Sequence, residues 1–185
     1  MAAKGRIIPN PATGEYIEFV ETAEETGGHH TTIKVLQKAG GFKPVLHVHT
    51  TTDESFTVIE GELTYELEGK KGIVQRGESL VLPKGKVHTH YNDRPNDLLM
   101  LQTFTPALDI EVFLENLFGL TAEGKVRNGQ PALLQVLVWL RSLSSKTYLA
   151  ALPIGVQDAL AALLAPVGRV FGYKAAYARF SGFDR

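Results

Sequence analysis

The chain has 185 residues, 44% hydrophobic and 21% charged, about one domain's length with a globular rather than disordered composition. It holds no cysteine, which excludes disulfides, thiolate metal sites and cysteine nucleophiles, and its formal charge of −1 gives no reason to expect nucleic-acid binding. No run reaches the roughly 18 apolar residues of a membrane span, and the opening MAAKGRIIPNP lacks a signal-type apolar core, so a cytoplasmic protein is expected.

Charge divides along the chain. Residues 1–124 carry 11 Lys+Arg against 18 Asp+Glu, whereas residues 125–185 carry 8 against 2, and all six histidines fall in the first part. Texture divides as well: glycine turns and short alternating runs come first, then a Leu- and Ala-rich stretch. This pattern predicts a β domain over residues 1–107 and a helical extension over 108–185, packed on the barrel or at a dimer interface.

Strands are predicted where period-two alternation lies between turn signals. They are Tyr16–Val20, Thr32–Leu36, Val45–His49, Phe56–Ile59, the run of Leu63, Tyr65 and Leu67, Ile73–Gln75 and Leu98–Phe104. Many short strands separated by glycine turns indicate a sandwich or barrel. Helix is predicted after Pro106, with Asp109 as N-cap, an apolar stripe of Ile110, Phe113, Leu114, Leu117 and Phe118, and Gly119 as C-cap. A second helix is predicted over Ala132–Leu143. A third runs from about Val156, with Leu160, Leu163, Leu164, Val167, Val170 and Phe171 on one face, kinked or divided at Pro166.

His47 and His49 stand two apart, so in a strand their imidazoles aim at one point. Glu54 follows after a distance that lets the chain turn back along the next strand. His88 lies in a further strand after Pro83-Lys84-Gly85. Three imidazoles and one carboxylate suit a divalent first-row transition metal better than Mg²⁺ or Ca²⁺. His90 is i+2 from His88 and shares its face, where it reads as a rim histidine hydrogen-bonded to backbone or a carboxylate more than as one beside the metal or the substrate, whereas Tyr91 has the opposite parity and is predicted to be outward or interfacial. Phe42, Phe56, Val58, Tyr65, Leu80, Leu82, Met100 and Phe104 are predicted as core more than as pocket lining. His29-His30 reads as a solvated turn.

The spacing carries more information than the residue types. Gly41, His47, His49, Glu54 and Gly61 are separated by five, one, four and six residues. After fifteen more residues, Gly77, Pro83, Gly85, His88 and Asn92 are separated by five, one, two and three. These two patterns resemble the paired motifs of the cupin superfamily at every fixed position, over Gly41–Asn92 and, with flanking strands, over residues 1–107. The resemblance implies a mainly β fold, a jelly-roll β-barrel followed here by the helical extension. It implies His47, His49, Glu54 and His88 as metal ligands, with Fe, Mn, Ni, Cu or Zn as the candidate ion, and a structural role for Asn92. It implies a dioxygenase-type oxidoreductase acting on a small organic molecule, with Glu54 and His90 as candidate catalytic side chains. In quercetin-dioxygenase-like cupins the glutamate serves as a base as well as a ligand. The alternative is a non-catalytic small-molecule-binding or sensing cupin. Family likeness implies a homodimer through an N-terminal strand added to the partner's sheet. Arg141, Lys146, Arg169, Lys174, Arg179 and Arg185, beside Trp139, Phe171, Tyr173 and Tyr177, offer peripheral membrane contact as a less favoured use of the tail.

Overall fold

A computed structural model describes residues 2–11, 13–41, 43–126 and 130–184. Phe42 and Arg185 lie outside the described residues. Ten strands precede the first long helix: β1 Ile7–Asn10, β2 Glu15–Glu21, β3 Thr31–Gln37, β4 His47–His49, β5 Asp53–Glu60, β6 Glu62–Leu67, β7 Lys70–Gln75, β8 Ser79–Leu82, β9 His88–Tyr91 and β10 Leu98–Thr105. Then come α1 Ile110–Ala122, α2 Leu133–Ser142, β11 Thr147–Leu149, α3 Ile154–Val170 and the single turn α4 Ala178–Ser181.

The strands form two antiparallel sheets, ordered β1-β2-β3-β10-β5-β8 and β11-β4-β9-β6-β7. This is a jelly-roll β-barrel followed by helices. Alternation along β10 shows why the sheets close on each other: Leu98, Met100, Gln102 and Phe104 are buried, and the residues between them are not. Met100 and Phe104 join Phe19, Phe56, Val58, Leu63 and Leu82 in one apolar core, with Tyr65 and Leu80 packed at its margin. Gly61 makes the β5–β6 turn with φ of +81°, and a Cβ there would lie 2.4 Å from the Asp97 carbonyl oxygen, so only glycine fits. Asn92, fully buried, donates to the carbonyls of Lys38 and Asn96 and accepts from the Arg94 amide, closing the 92–96 loop and tying it to the end of β3. β1 pairs with β2 of its own chain, Ile7 opposite Glu18.

Several local expectations are corrected. The fourth strand is shorter than Val45–His49: Val45 and Leu46 stand outside it and are exposed. Tyr91 is buried, because the segment before β4 covers that side of β9. The Lys43 ammonium lies 4.2 Å from the Tyr91 ring centre, and Thr89 donates to the Pro44 carbonyl. Asp109 occupies the N-cap position of α1 without capping it. Its carboxylate instead accepts from the Ser144 and Ser145 amides and the Ser145 hydroxyl, pinning the loop after α2. Gly119 does not end α1, which runs on to Ala122. The glycine is needed for packing, since a Cβ would stand 2.5 Å from the Phe180 ring.

The third helix is continuous through Pro166 and begins at Ile154. Its buried residues are Gln157, Ala161, Ala165 and Gly168, not the large apolar stripe. Small side chains bring α3 close to α2: a Cβ on Gly168 would already touch Val138. Close backbone approach thus decides the inward face, and Leu163 and Val170 are left in solvent.

The extension returns to the barrel through β11, unforeseen in the sequence. It pairs antiparallel with β4, Thr147 opposite His49 and Leu149 opposite His47. Val48, whose side chain alternates away from its two histidine neighbours, packs with Leu137, Leu140, Tyr148 and Ala161. The helices therefore stand directly behind the strand that carries two of the four candidate ligands. Among the described residues no helix is long and apolar enough to cross a membrane.

Candidate metal centre

Three strands and one return bring the four candidate ligands together. β4 supplies His47 and His49, β5 supplies Glu54 and β9 supplies His88. His47 lies directly opposite His88 in the β4–β9 pair. One donor atom from each of the four lies within 4.8 Å of every other, so the set could hold a single metal ion. Ring centres are 4.6 Å apart for His47 and His88, 5.0 Å for His47 and His49 and 5.3 Å for His49 and His88.

The outer nitrogens explain the orientation of the rings. His47 Nδ1 lies 2.8 Å from the Val45 carbonyl oxygen, and His88 Nδ1 lies 2.8 Å from the Lys86 carbonyl oxygen. A carbonyl only accepts, so both rings carry their proton on Nδ1 and leave the Nε2 lone pair free. His49 Nδ1 lies 2.9 Å from the Thr147 hydroxyl, which can accept in the same way. Glu54 is steered from the other side: Gln102 donates its amide N–H to Oε1 at 2.6 Å. Gln102 and Thr147 were not foreseen as site residues. Gln102 had a signal, a polar side chain at an inward position between Met100 and Phe104. Thr147 had none, since it depends on a strand pairing almost a hundred residues distant in sequence.

The donor chemistry fits a cation. Glu54 and His88 are almost wholly buried, 2% and 0% exposed. Glu54 Oε2 and His88 Nε2, 3.3 Å apart, nevertheless lack hydrogen-bond partners. Two facing buried atoms, both short of a partner, are costly unless something shared satisfies them. A divalent ion bound by neutral imidazoles and one carboxylate does so, with the Nδ1 contacts serving as orienting partners. His47 is the least buried of the four, and exposed Val45 and Leu46 adjoin it, so the accessible edge of the cluster is on that side.

His90 lies against the cluster without belonging to the four. Its Nε2 is 3.9 Å from Glu54 Oε1, its ring centre is 4.5 Å from that of Phe56, and its buried Nδ1 has no hydrogen-bond partner. His29 is exposed, and His30 pairs with Glu21 at 3.0 Å on the surface. Cavities of about 300 and 240 Å³ lie on the helical part, the first beside Arg169 and Lys174 and the second beside Arg141 and Lys146.

Burial sets the protonation states. It pushes His49 and His90 down to about 4 and lowers His47, with the Glu54 charge opposing the shift each time. Burial works to raise the Glu54 carboxyl, but contact with His88 and the field of the other imidazoles outweighs it and holds the group far below the usual carboxylate range. Neutral rings and an ionised carboxylate are the ligating forms. In the unfolded chain these histidines return to 6.5. As pH falls from there toward 4, the unfolded chain binds protons that the folded chain refuses, so stability declines. Below 4.5, Glu54 adds a loss of the same sign, because its contribution vanishes as it protonates. The metal-free protein is expected to show a falling urea midpoint across this acid window. A midpoint unchanged from pH 6.5 to pH 4 contradicts the assignment.

Residues 34–104 match the cupin domain family Cupin_2. An uncharacterized protein of Aquifex aeolicus (strain VF5) is 37% identical over 104 residues, covering 56% of this chain and 69% of the relative. Among solved structures, KdgF from Halomonas sp. aligns with a TM-score of 0.46 at 23% identity, covering 53% of this chain and 84% of its own. An RmlC-like cupin from Shewanella frigidimarina NCIMB 400 aligns with a TM-score of 0.49 at 18% identity, covering 58% and 89%. With both glycine-histidine patterns set in a two-sheet jelly roll and a matching domain across its middle, the chain belongs to the cupin superfamily.

Proposed function

We propose that the protein is a metal-dependent enzyme of dioxygenase type acting on a small organic molecule, with His47, His49, Glu54 and His88 as the ligands. The observation that carries the reading is the alignment of the imidazoles, with His47 and His88 held through Nδ1 so that Nε2 lone pairs face the Glu54 carboxylate. Four protein ligands leave one or two places on a five- or six-coordinate ion. An ion of Fe, Mn, Ni or Cu bound there would supply Lewis acidity and a common template for dioxygen and a chelating substrate. Glu54, ionised at neutral pH, would serve first as the anionic ligand, and it is the carboxylate placed to take a proton from a substrate whose own acidity the bound ion would raise. Gln102 holds the Glu54 oxygen that is nearer His90, so the carboxylate stays aimed during that transfer. His90 uses its free Nδ1 to hydrogen-bond a substrate oxygen. Phe56 and Phe104 close the inner side of the cluster against water.

The test begins with metal analysis of protein purified without added metal, followed by oxygen-uptake assays with flavonols, β-diketones and catechols. Metal-dependent oxygen uptake with one class is expected. Metal-replete protein that consumes no oxygen with any of them overturns the dioxygenase reading and favours isomerase or decarboxylase chemistry, or the non-catalytic ligand-binding alternative.

A further inference from the structure

The extension sets one more side chain on the inner face of the ligand-bearing sheet. In the β11–β4 pair Leu149 lies directly opposite His47, as Thr147 lies opposite His49. Residues directly opposite in an antiparallel pair share a face, with Cβ atoms about 4.5–5.5 Å apart. The contact of the Thr147 hydroxyl with His49 Nδ1 marks this as the ligand face, and Tyr148 packs with Val48 on the other. Leu149 therefore stands beside the His47 ring, at the accessible edge of the cluster. Its side chain is 37% exposed although its backbone is fixed at both ends, the amide donating to Gln157 and the carbonyl accepting from it.

The surroundings of Leu149 are apolar and uncharged. The Ala150 amide donates to the Leu46 carbonyl, which joins the turn after β11 to the segment before β4. Val45, Leu46, Leu152 and Ile154 border this junction, all exposed. Residues 44–48 and 147–157 contain no Asp, Glu, Lys or Arg. The flanking amines are engaged elsewhere: Lys43 lies over the Tyr91 ring, and Lys146 donates to the Leu140 carbonyl. The rest of the cluster is closed, since His49, Glu54, His88 and His90 are at most 7% exposed. A molecule that reaches the four ligands passes this rim. A phosphate or carboxylate on its trailing part meets no cation here to receive it. A hydrocarbon part instead loses water-exposed area against Leu149 and its neighbours.

We infer that Leu149 is a specificity-determining residue, seating the uncharged apolar arm of a substrate whose oxygen-bearing head reaches the ion. The inference rests on the metal-dependent reading above and narrows its substrate class. The class is a small oxygen chelator with a hydrocarbon arm, not a phosphorylated or polycarboxylate molecule. β11 then brings two residues to the site, Thr147 behind His49 and Leu149 beside His47.

Full-length protein loaded with Co²⁺ and titrated with acetohydroxamate and octanohydroxamate tests it, with binding read from the visible absorption of the ion. The heads are identical, so the ratio of the two dissociation constants reports the arm alone. Octanohydroxamate is expected to bind roughly tenfold tighter or more. Leu149→Asn is expected to cut that ratio roughly threefold or more, and Leu149→Arg to favour a hydroxamate whose arm ends in a carboxylate. A general loosening of β11 weakens both probes alike and leaves the ratio, so a wild-type ratio in Leu149→Asn overturns the proposal. Equal affinities for the two hydroxamates in the wild-type protein also overturn it, and leave the metal site standing. Absorption indifferent to both removes the open places on the ion, and the metal-dependent reading falls with the inference. A lower assembled mass of Leu149→Asn in sedimentation shows that a second copy covers the rim, and overturns the substrate as its occupant.

Discussion

Replacing His49 with alanine is expected to cost roughly a hundredfold in metal affinity. Site energies of about 10–16 kcal/mol shared among four ligands amount to about 3 kcal/mol each. His49 is 5% exposed and held on both sides, by Thr147 at its ring and by the Gly85 amide, which donates to its carbonyl at 2.8 Å. His88→Ala should behave alike. Glu54→Ala is expected to lose less, because the oriented nitrogens of His47, His49 and His88 remain. Competition titration against a chromophoric chelator measures all three variants. Unchanged affinity in His49→Ala contradicts the ligand set, and an equal or larger loss in Glu54→Ala reverses the ranking.

Thr147→Val is expected to weaken metal binding by roughly 10- to 100-fold, the usual range for a lost orienting partner. Valine keeps the shape and the strand preference, so the β11–β4 pair survives while the hydroxyl at His49 Nδ1 is lost. The ring is then free to flip or to carry its proton on Nε2, where the lone pair is needed. Thr147→Ser restores the hydroxyl and should restore most of the affinity. Nitrogen chemical shifts of the His49 ring report the tautomer directly, a readout that a general loosening of the tail would not move. Wild-type affinity in Thr147→Val would show that strand geometry alone orients the ring. The prediction matters because Thr147 belongs to the helical extension, so the tail takes part in building the barrel's site.

Alternation and glycine turns made a sandwich or barrel legible and put His47 and His49 on one face, while the jelly roll and the full set of four ligands followed from the resemblance of the two motifs to the cupin superfamily. The strand edges were less legible. Val45 and Leu46 look like strand residues, yet the pairing with β9 begins only at His47. The extension was read least well, for one reason repeated. Apolar size was taken to decide which face turns inward, but Gly119 and Gly168 sit where Phe180 and Val138 need room, and Ala161 and Ala165 serve the same closeness. Small residues report close approach, and a hydrophobic pattern weighted by size hides it. Tyr148 and Gln157 show a further limit. The Tyr148 hydroxyl donates to Asp158, and Gln157 accepts from the Leu149 amide and donates to the Leu149 carbonyl, locking β11 onto α3 through contacts that no periodicity announces.

The central claim is that four side chains from β4, β5 and β9 share one ion. Anomalous diffraction at the absorption edge of the metal found in the purified protein tests it most directly. The account predicts one peak per chain, bounded by Nε2 of His47, His49 and His88 and by the Glu54 carboxylate, at the ~2.0–2.2 Å typical of nitrogen and oxygen ligation. A peak elsewhere, or metal-loaded protein with no peak among these four residues, would contradict it.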